Sequence, residues 1–378
     1  TGTPKYTSTL GYDEFGNVAS FKEKVNNSAS YETAYTYNIE NQPTQLRFGA
    51  DNRKLTYTYD PIGRLYRRVA VGAANYTTQY AYFDPDPEDT IFTTPLVTSI
   101  TQNGQNFSYT YDNVGNITSV TRNGLTTTYE YDSLGQLTRV NDPHAGKSTM
   151  YLYDCGGNMT GYLSAPYTLA PTLEGVNETV FYTYGDSNWK DKVTAIGGKA
   201  ITYDAIGNPL TYDGWTFTWK AGRMLASMVK NGTNAQFTYD HNGLRIKKVV
   251  NGVTTNYTLN GKNVVHMTQG SHDLHFFYDA QGKPGMVTYN DVDYFYVYNL
   301  QGDVVALIDA NGTQVVEYGY DVWGNPISKS GSMVATLGTE NLFRYREYVY
   351  DEETKLYYNK ECGIDGEKSL NEVKGELK

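Results

Sequence analysis

Very little in this chain is equipped for chemistry. Two cysteines, Cys155 and Cys362, occur in 378 residues. They are too few for a disulfide framework and stand in no metal or redox spacing. No apolar run is long enough for a transmembrane helix, which needs about 18 residues or more. Positive charge is scarce: 31 Lys and Arg against 41 Asp and Glu give a net charge of -10 and a pI near 5.1. No basic stripe is visible, so nucleic acid is excluded as a partner of this surface, whereas a basic guest would suit it. Aliphatic residues are thin as well. Mean hydropathy is -0.55, and the 39% of hydrophobic residues include 37 tyrosines but only four tryptophans. The buried layer is therefore expected to be largely aromatic and threonine-rich.

Sites are equally sparse. Of the five histidines only His272 and His275 are neighbours, and that spacing puts them on opposite faces of a strand. Cys155 falls inside the turn Asp154-Cys155-Gly156-Gly157 with no base beside it, which argues against a nucleophile. No serine lies in the sharp Gly-x-Ser-x-Gly setting of hydrolases. The carboxylates at Asp84, Asp86, Glu88 and Asp89 lack the glycine and spacing of a calcium loop, so a solvated acidic loop is expected. Glycosylation acceptors at Asn26, Asn75, Asn106, Asn116, Asn158, Asn177, Asn231, Asn256 and Asn311 follow from composition and turn geometry. The expectation is no catalytic residue, no cofactor and no metal.

What the chain does have is a repeat. An aromatic residue, then Asp or Asn, two variable residues and a glycine recur along most of its length. Clear copies place Asp13 with Gly16, Asp60 with Gly63, Asp112 with Gly115, Asp132 with Gly135, Asp154 with Gly157, and Asp204 with Gly207. Others place Asp240 with Gly243, Asp279 with Gly282, Asn299 with Gly302, and Asp321 with Gly324. Weaker copies stand at Tyr37-Asn38, Tyr82, Tyr184 and Trp219. Such a period signals a repeat architecture. Upstream of each turn, aromatic and β-branched residues alternate with polar ones, as in Phe107, Tyr109 and Tyr111 around Ser108 and Thr110. That period of two predicts strands. The Asp side chain can cap the turn, and the glycine supplies a positive φ. Pairs such as Asn123-Gly124, Asn231-Gly232, Asn251-Gly252, Asn260-Gly261 and Asn311-Gly312 predict a second set of turns. On the order of thirty strands at about 4.8 Å apart would span about 145 Å, a width that must curl; a single ring would measure about 45 Å across.

These hairpins, the segment 184–192, the stretch 217–223 and the sequence from Arg344 to Tyr358 together resemble the RHS or YD-repeat family. Arg344, Tyr345, Arg346, Tyr348, Tyr350, Asp351, Glu353, Thr354, Leu356, Tyr357 and Tyr358 match its core-associated motif, while Glu347 and Lys355 stand where the family carries glycine. The resemblance implies an all-β fold: a long antiparallel strip spiralling into a partial or complete hollow shell. It divides the chain into a wall over residues 1–340, the core motif at 341–358 and a divergent tail at 359–378. Leu370, Val373 and Leu377 give the tail a short helical pattern. The downstream aspartates used by the family for self-cleavage are not matched, so no catalytic role is carried over. The chain opens directly into a repeat and reads as part of something longer. The implied role is non-enzymatic: a wall segment of a bacterial protein, secreted or held at the cell surface. Its cargo would be an attached C-terminal toxin polypeptide, and other shell segments are further partners. The alternative is an adhesion or glycan-binding module using aromatic rows.

Overall fold

The computed structural model describes residues 6–26, 30–84 and 94–358. Seventeen strands, from Tyr6–Tyr12 to Lys199–Ala200, form one sheet, and fourteen, from Thr202–Tyr203 to Pro326–Ser330, form a second. Each strand pairs antiparallel with its neighbours in sequence, so both sheets are meanders. They follow one another with a break of a single residue, Ile201, whose N–H still donates to the Thr194 carbonyl at 2.8 Å. The alternation behind the strand assignment is visible in Thr233–Tyr239, where Ala235 and Phe237 are buried and Asn234, Gln236 and Thr238 are exposed.

The meander has two rims with different turn chemistry. On one, Asn-Gly pairs place both residues at positive φ, as at Asn123 (52°) with Gly124 (74°) and Asn251 (49°) with Gly252 (86°). This is the two-residue turn that matches strand twist. On the other rim sit the Asp-x-x-Gly loops. Asn311-Gly312, expected as a two-residue turn, is instead an Asp-x-x-Gly loop set on the Asn-Gly rim, between Val304–Ile308 and Gln314–Tyr320: Asp309 caps it by accepting the N–H groups of Asn311 and Thr313. Ile308 stands where the repeat usually has tyrosine, which hid the copy. Asn260-Gly261 is displaced the other way: Asn260 still pairs with Asn263 in the strands, so the two-residue turn is Gly261-Lys262 and lies on the Asp-x-x-Gly rim.

The strip does not remain an open ring. Leu46, Phe48, Leu55, Tyr57, Ala70 and Tyr76 of the first sheet interleave with Phe277, Met286, Phe295, Val297 and Ile308 of the second. The approach is close enough that a Cβ on Gly72 would lie 2.9 Å from the Phe295 ring. A further cluster joins Val140, Tyr151 and Met159 to Tyr212, Phe217, Met228 and Phe237. Folding the strip on itself buries strands on both faces, and every residue of Pro284–Tyr289 is buried. Such strands read as continuous apolar runs. The core there is accordingly aliphatic as much as aromatic, with Val264, Leu274, Val287, Val304, Leu307 and Val316 all buried, and in this respect the composition misled.

Candidate functional site

The Asp-x-x-Gly rim is built identically from copy to copy. Oδ1 of Asp13, Asp60, Asp112, Asp132, Asp154, Asp204, Asp240, Asp279 and Asp321 accepts the backbone N–H groups two and four residues on, at 2.8 to 3.1 Å. The glycine N–H bonds back to the same residue's carbonyl, and Gly16, Gly63, Gly115, Gly135, Gly157, Gly207, Gly243, Gly282 and Gly324 lie at φ of 77 to 91°. At Asp112, hydrogen bonds from the Asn116 side chain and from backbone N–H groups hold the carboxyl below its usual range. Asn41 occupies the glycine position of the weaker copy at Asn38, at φ 61°, a conformation Asn tolerates.

The tyrosine before each Asp has a separate task. Hydroxyls of Tyr37, Tyr59, Tyr82, Tyr111, Tyr131, Tyr153, Tyr184, Tyr203, Tyr239, Tyr278, Tyr298 and Tyr320 each donate to the carbonyl of a residue at or near the start of an earlier strand, at 2.5 to 2.9 Å. Tyr59 reaches Pro43, the residue paired with Tyr37. Tyr131 likewise reaches Ile117, paired with Tyr111. Each hairpin is thereby pegged to its predecessor along the rim. Trp219 performs the same task with its indole N–H, 2.6 Å from the Pro209 carbonyl. Acceptors at Pro43, Pro209 and Pro284 need no N–H of their own at the start of a strand. Sequence reading found the tyrosines but not this function, because the acceptor is a carbonyl and carries no side-chain signature.

Between strands around residues 97–184 and 304–328 the two sheets stand apart around a half-open cavity of about 1330 Å³. Tyr109, Tyr129, Tyr151, Tyr182, Tyr320 and Trp323 line it. Burial pushes the Tyr153 phenol, also on this wall, up to about 12, so its hydroxyl stays neutral near pH 7. Trp323 meets Tyr151 edge-on at 5.4 Å. Among the described residues no group of three or more His, Cys, Asp or Glu is placed to hold a metal ion. Cys155 is exposed in its turn. Of the acidic loop only Asp84 lies within the described residues; Asp86, Glu88, Asp89, Cys362 and the tail at 359–378 lie outside them.

The segment from Arg344 to Tyr358 docks against the second sheet. Arg344 is 1% exposed and donates to the carbonyls of Gly338 (2.7 Å), Phe343 (3.2 Å) and Asn341, with its guanidinium 4.0 Å above the Tyr318 ring. Tyr345 donates to the Val322 carbonyl, and Arg346 offers its backbone N–H to Asp303. Tyr357 donates to the Gly324 carbonyl at 2.9 Å, and its ring meets those of Tyr348 and Tyr350. Leu356 packs into the cluster around Trp323, and the Thr354 N–H closes the turn on the Asp351 carbonyl. Asp351 is the electrostatic anchor: it takes Arg245 at 2.5 Å and Lys248 at 3.0 Å, while Glu353 takes Lys248 at 2.7 Å. Burial alone would raise the Asp351 carboxyl, but Arg245 and then Lys248 outweigh it and hold the group below its usual range. Tyr358 accepts the Arg245 backbone N–H at 3.0 Å. Arg245 and Lys248 carry no motif of their own; they were not legible as partners. Glu347 (φ 62°) and Lys355 (φ 60°) sit in the left-handed region, which accounts for the glycines of the motif at those two places.

The sequence pattern of the teneurin YD-shell family matches residues 100–365. The chain belongs to this YD-shell family. It is 35% identical over 215 residues to the tRNA3(Ser)-specific nuclease WapA of Bacillus spizizenii, and 34% identical over 215 residues to the tRNA nuclease WapA of Bacillus subtilis. In both cases the match covers 55% of this chain but spans 9% of the relative's length. The crystal structure of TcdB2-TccC3-Cdc42 superposes with a TM-score of 0.64 at 15% identity, over 98% of this chain and 23% of that one. A Photorhabdus luminescens Tc holotoxin pore gives 0.60 at 18% identity, over 93% and 21%. These structures share the fold, a YD-repeat strip.

Proposed function

We propose that this chain is a non-enzymatic wall segment of an exported RHS-type protein, and that the wall shields an attached C-terminal polypeptide. The observation that carries the reading is the cavity walled by both sheets, faced with tyrosine and adjoined by Tyr345 and Arg346 of the C-terminal motif. The WapA relatives are named as nucleases, and this chain matches 9% of their length. Scale refines the role. A folded domain of 100 residues has a radius of gyration of about 13 Å and fills several times the volume available in this cavity. This segment alone therefore accommodates an extended stretch of chain, and a folded cargo requires further wall.

The test appends an unstructured, protease-sensitive polypeptide after Lys378 and compares its cleavage with that of the same peptide free in solution. Protection that disappears when the wall is unfolded in urea supports shielding. Cleavage at the free rate, or binding to a glycan array lost on changing exposed tyrosines to alanine, rejects it in favour of a surface-binding role.

A further inference from the structure

Where the beginning of the strip meets the second sheet, ionisable groups are buried together. His275 is fully buried, and its ring stacks on Tyr31 with centroids 3.5 Å apart and planes 8° from parallel. Neither of its nitrogens has a hydrogen-bond partner among the described residues. Its Nε2 lies 3.6 Å from the carboxylate of Glu23, which is 4% exposed and accepts the Tyr6 hydroxyl at 2.6 Å. His266 is paired across the strands with His275, their ring centroids 5.8 Å apart. It meets Asp273 at 3.1 Å through Nε2, and its Nδ1 is buried without a partner. Tyr6, Glu23 and Tyr31 come from the first three strands, and His266, Asp273 and His275 from Asn263–Gln269 and His272–Tyr278. Arg53 and Asp291 complete the charges that bear on the cluster.

We propose that this contact is an acid-operated latch: the beginning of the strip stays closed on the second sheet while His266 and His275 are neutral, and loosens when they take up protons. Protonation gives His275 a second N–H donor in a buried place where neither nitrogen has a hydrogen-bond partner and the Glu23 carboxylate stands 3.6 Å from Nε2, and it puts two cations less than 6 Å apart. Glu23 and Asp273 oppose this, but burial, the largest influence on both rings, depresses their proton affinity. The sign follows. A histidine that binds its proton less readily in the folded state contributes stability that is complete above the unfolded value, about pH 6.5, and is lost as pH falls below it. Elsewhere the two sheets meet through carbonyl acceptors and the Arg53–Asp293 pair, and His272, on the same strand as His275, pairs with Glu340.

The measurement is hydrogen exchange on the intact chain between pH 7.5 and 5.0, corrected for intrinsic rates. Opening of residues 18–25, 30–37 and 272–278 is expected to rise by up to tenfold per pH unit for each proton taken up, while residues 233–250 stay unchanged. His275→Gln is expected to flatten most of this rise and His266→Gln part of it. The imidazole signals of the wild-type chain provide a readout that needs no variant, and both should titrate below pH 6.5. Titration at or above that value, or an unchanged pH dependence in His275→Gln, overturns the latch. The readout concerns the wall alone and is independent of whether any cargo is held.

Discussion

Three rim and junction glycines separate backbone strain from steric exclusion, and alanine substitution at each gives a graded outcome. Gly115 lies at φ +91°, and an added Cβ would meet only Leu96 at 3.9 Å. Its cost is the positive φ alone, about 1–2 kcal/mol. Gly207 lies at φ +86°, but there the Cβ would come within 2.6 Å of the Trp189 ring. That ring is 46% exposed and can swing aside, so Gly207→Ala is expected to exceed Gly115→Ala by no more than about 1 kcal/mol. Gly331 lies at φ +111°, and its Cβ would stand 2.3 Å from the Val315 carbonyl oxygen. Backbone in a buried strand has nowhere to go; strain and overpacking together reach about 3–5 kcal/mol. Urea unfolding with hydrogen exchange on the affected hairpin would rank the three. Equal costs at Gly115 and Gly331 would refute the argument, because they would show that the approach to Val315 is absent in solution.

The rim pegs give a second expectation: Tyr131→Phe leaves the Ile117 carbonyl without its donor and should cost about 1 kcal/mol in urea unfolding, and Trp219→Phe a similar amount at Pro209. Breaking the buried anchor by Asp351→Asn should cost about 3–5 kcal/mol and expose residues 344–358 to protease, whereas replacing Arg245, Lys248 and Asp351 together by apolar residues should recover much of the loss. Because the Asp351 carboxyl is held below its ordinary value, its contribution is intact above about pH 4 and is lost as pH falls further. An acid unfolding curve that is the same in wild type and Asp351→Asn would contradict that assignment.

The sequence by itself determined the local unit. Alternation, Asp capping and a glycine at positive φ are short-range matters, decided within five or six residues by backbone sterics and hydrogen bonds, so strands and both kinds of turn could be read directly. Even the lapse at Asn311-Gly312 was local, since Ile308 broke the expected tyrosine pattern. Tertiary structure decided what no local rule encodes: that tyrosine hydroxyls reach carbonyls of the preceding hairpin, that Asp351 finds Arg245 and Lys248 more than 100 residues away, and that His275 meets Glu23. It also decided that a strip wide enough for an open ring closes on itself around one tyrosine-lined space. The physical reason is that a hairpin specifies its own twist and register, whereas the curvature of the whole strip follows from which apolar faces meet, and those faces are brought together only by the folded chain.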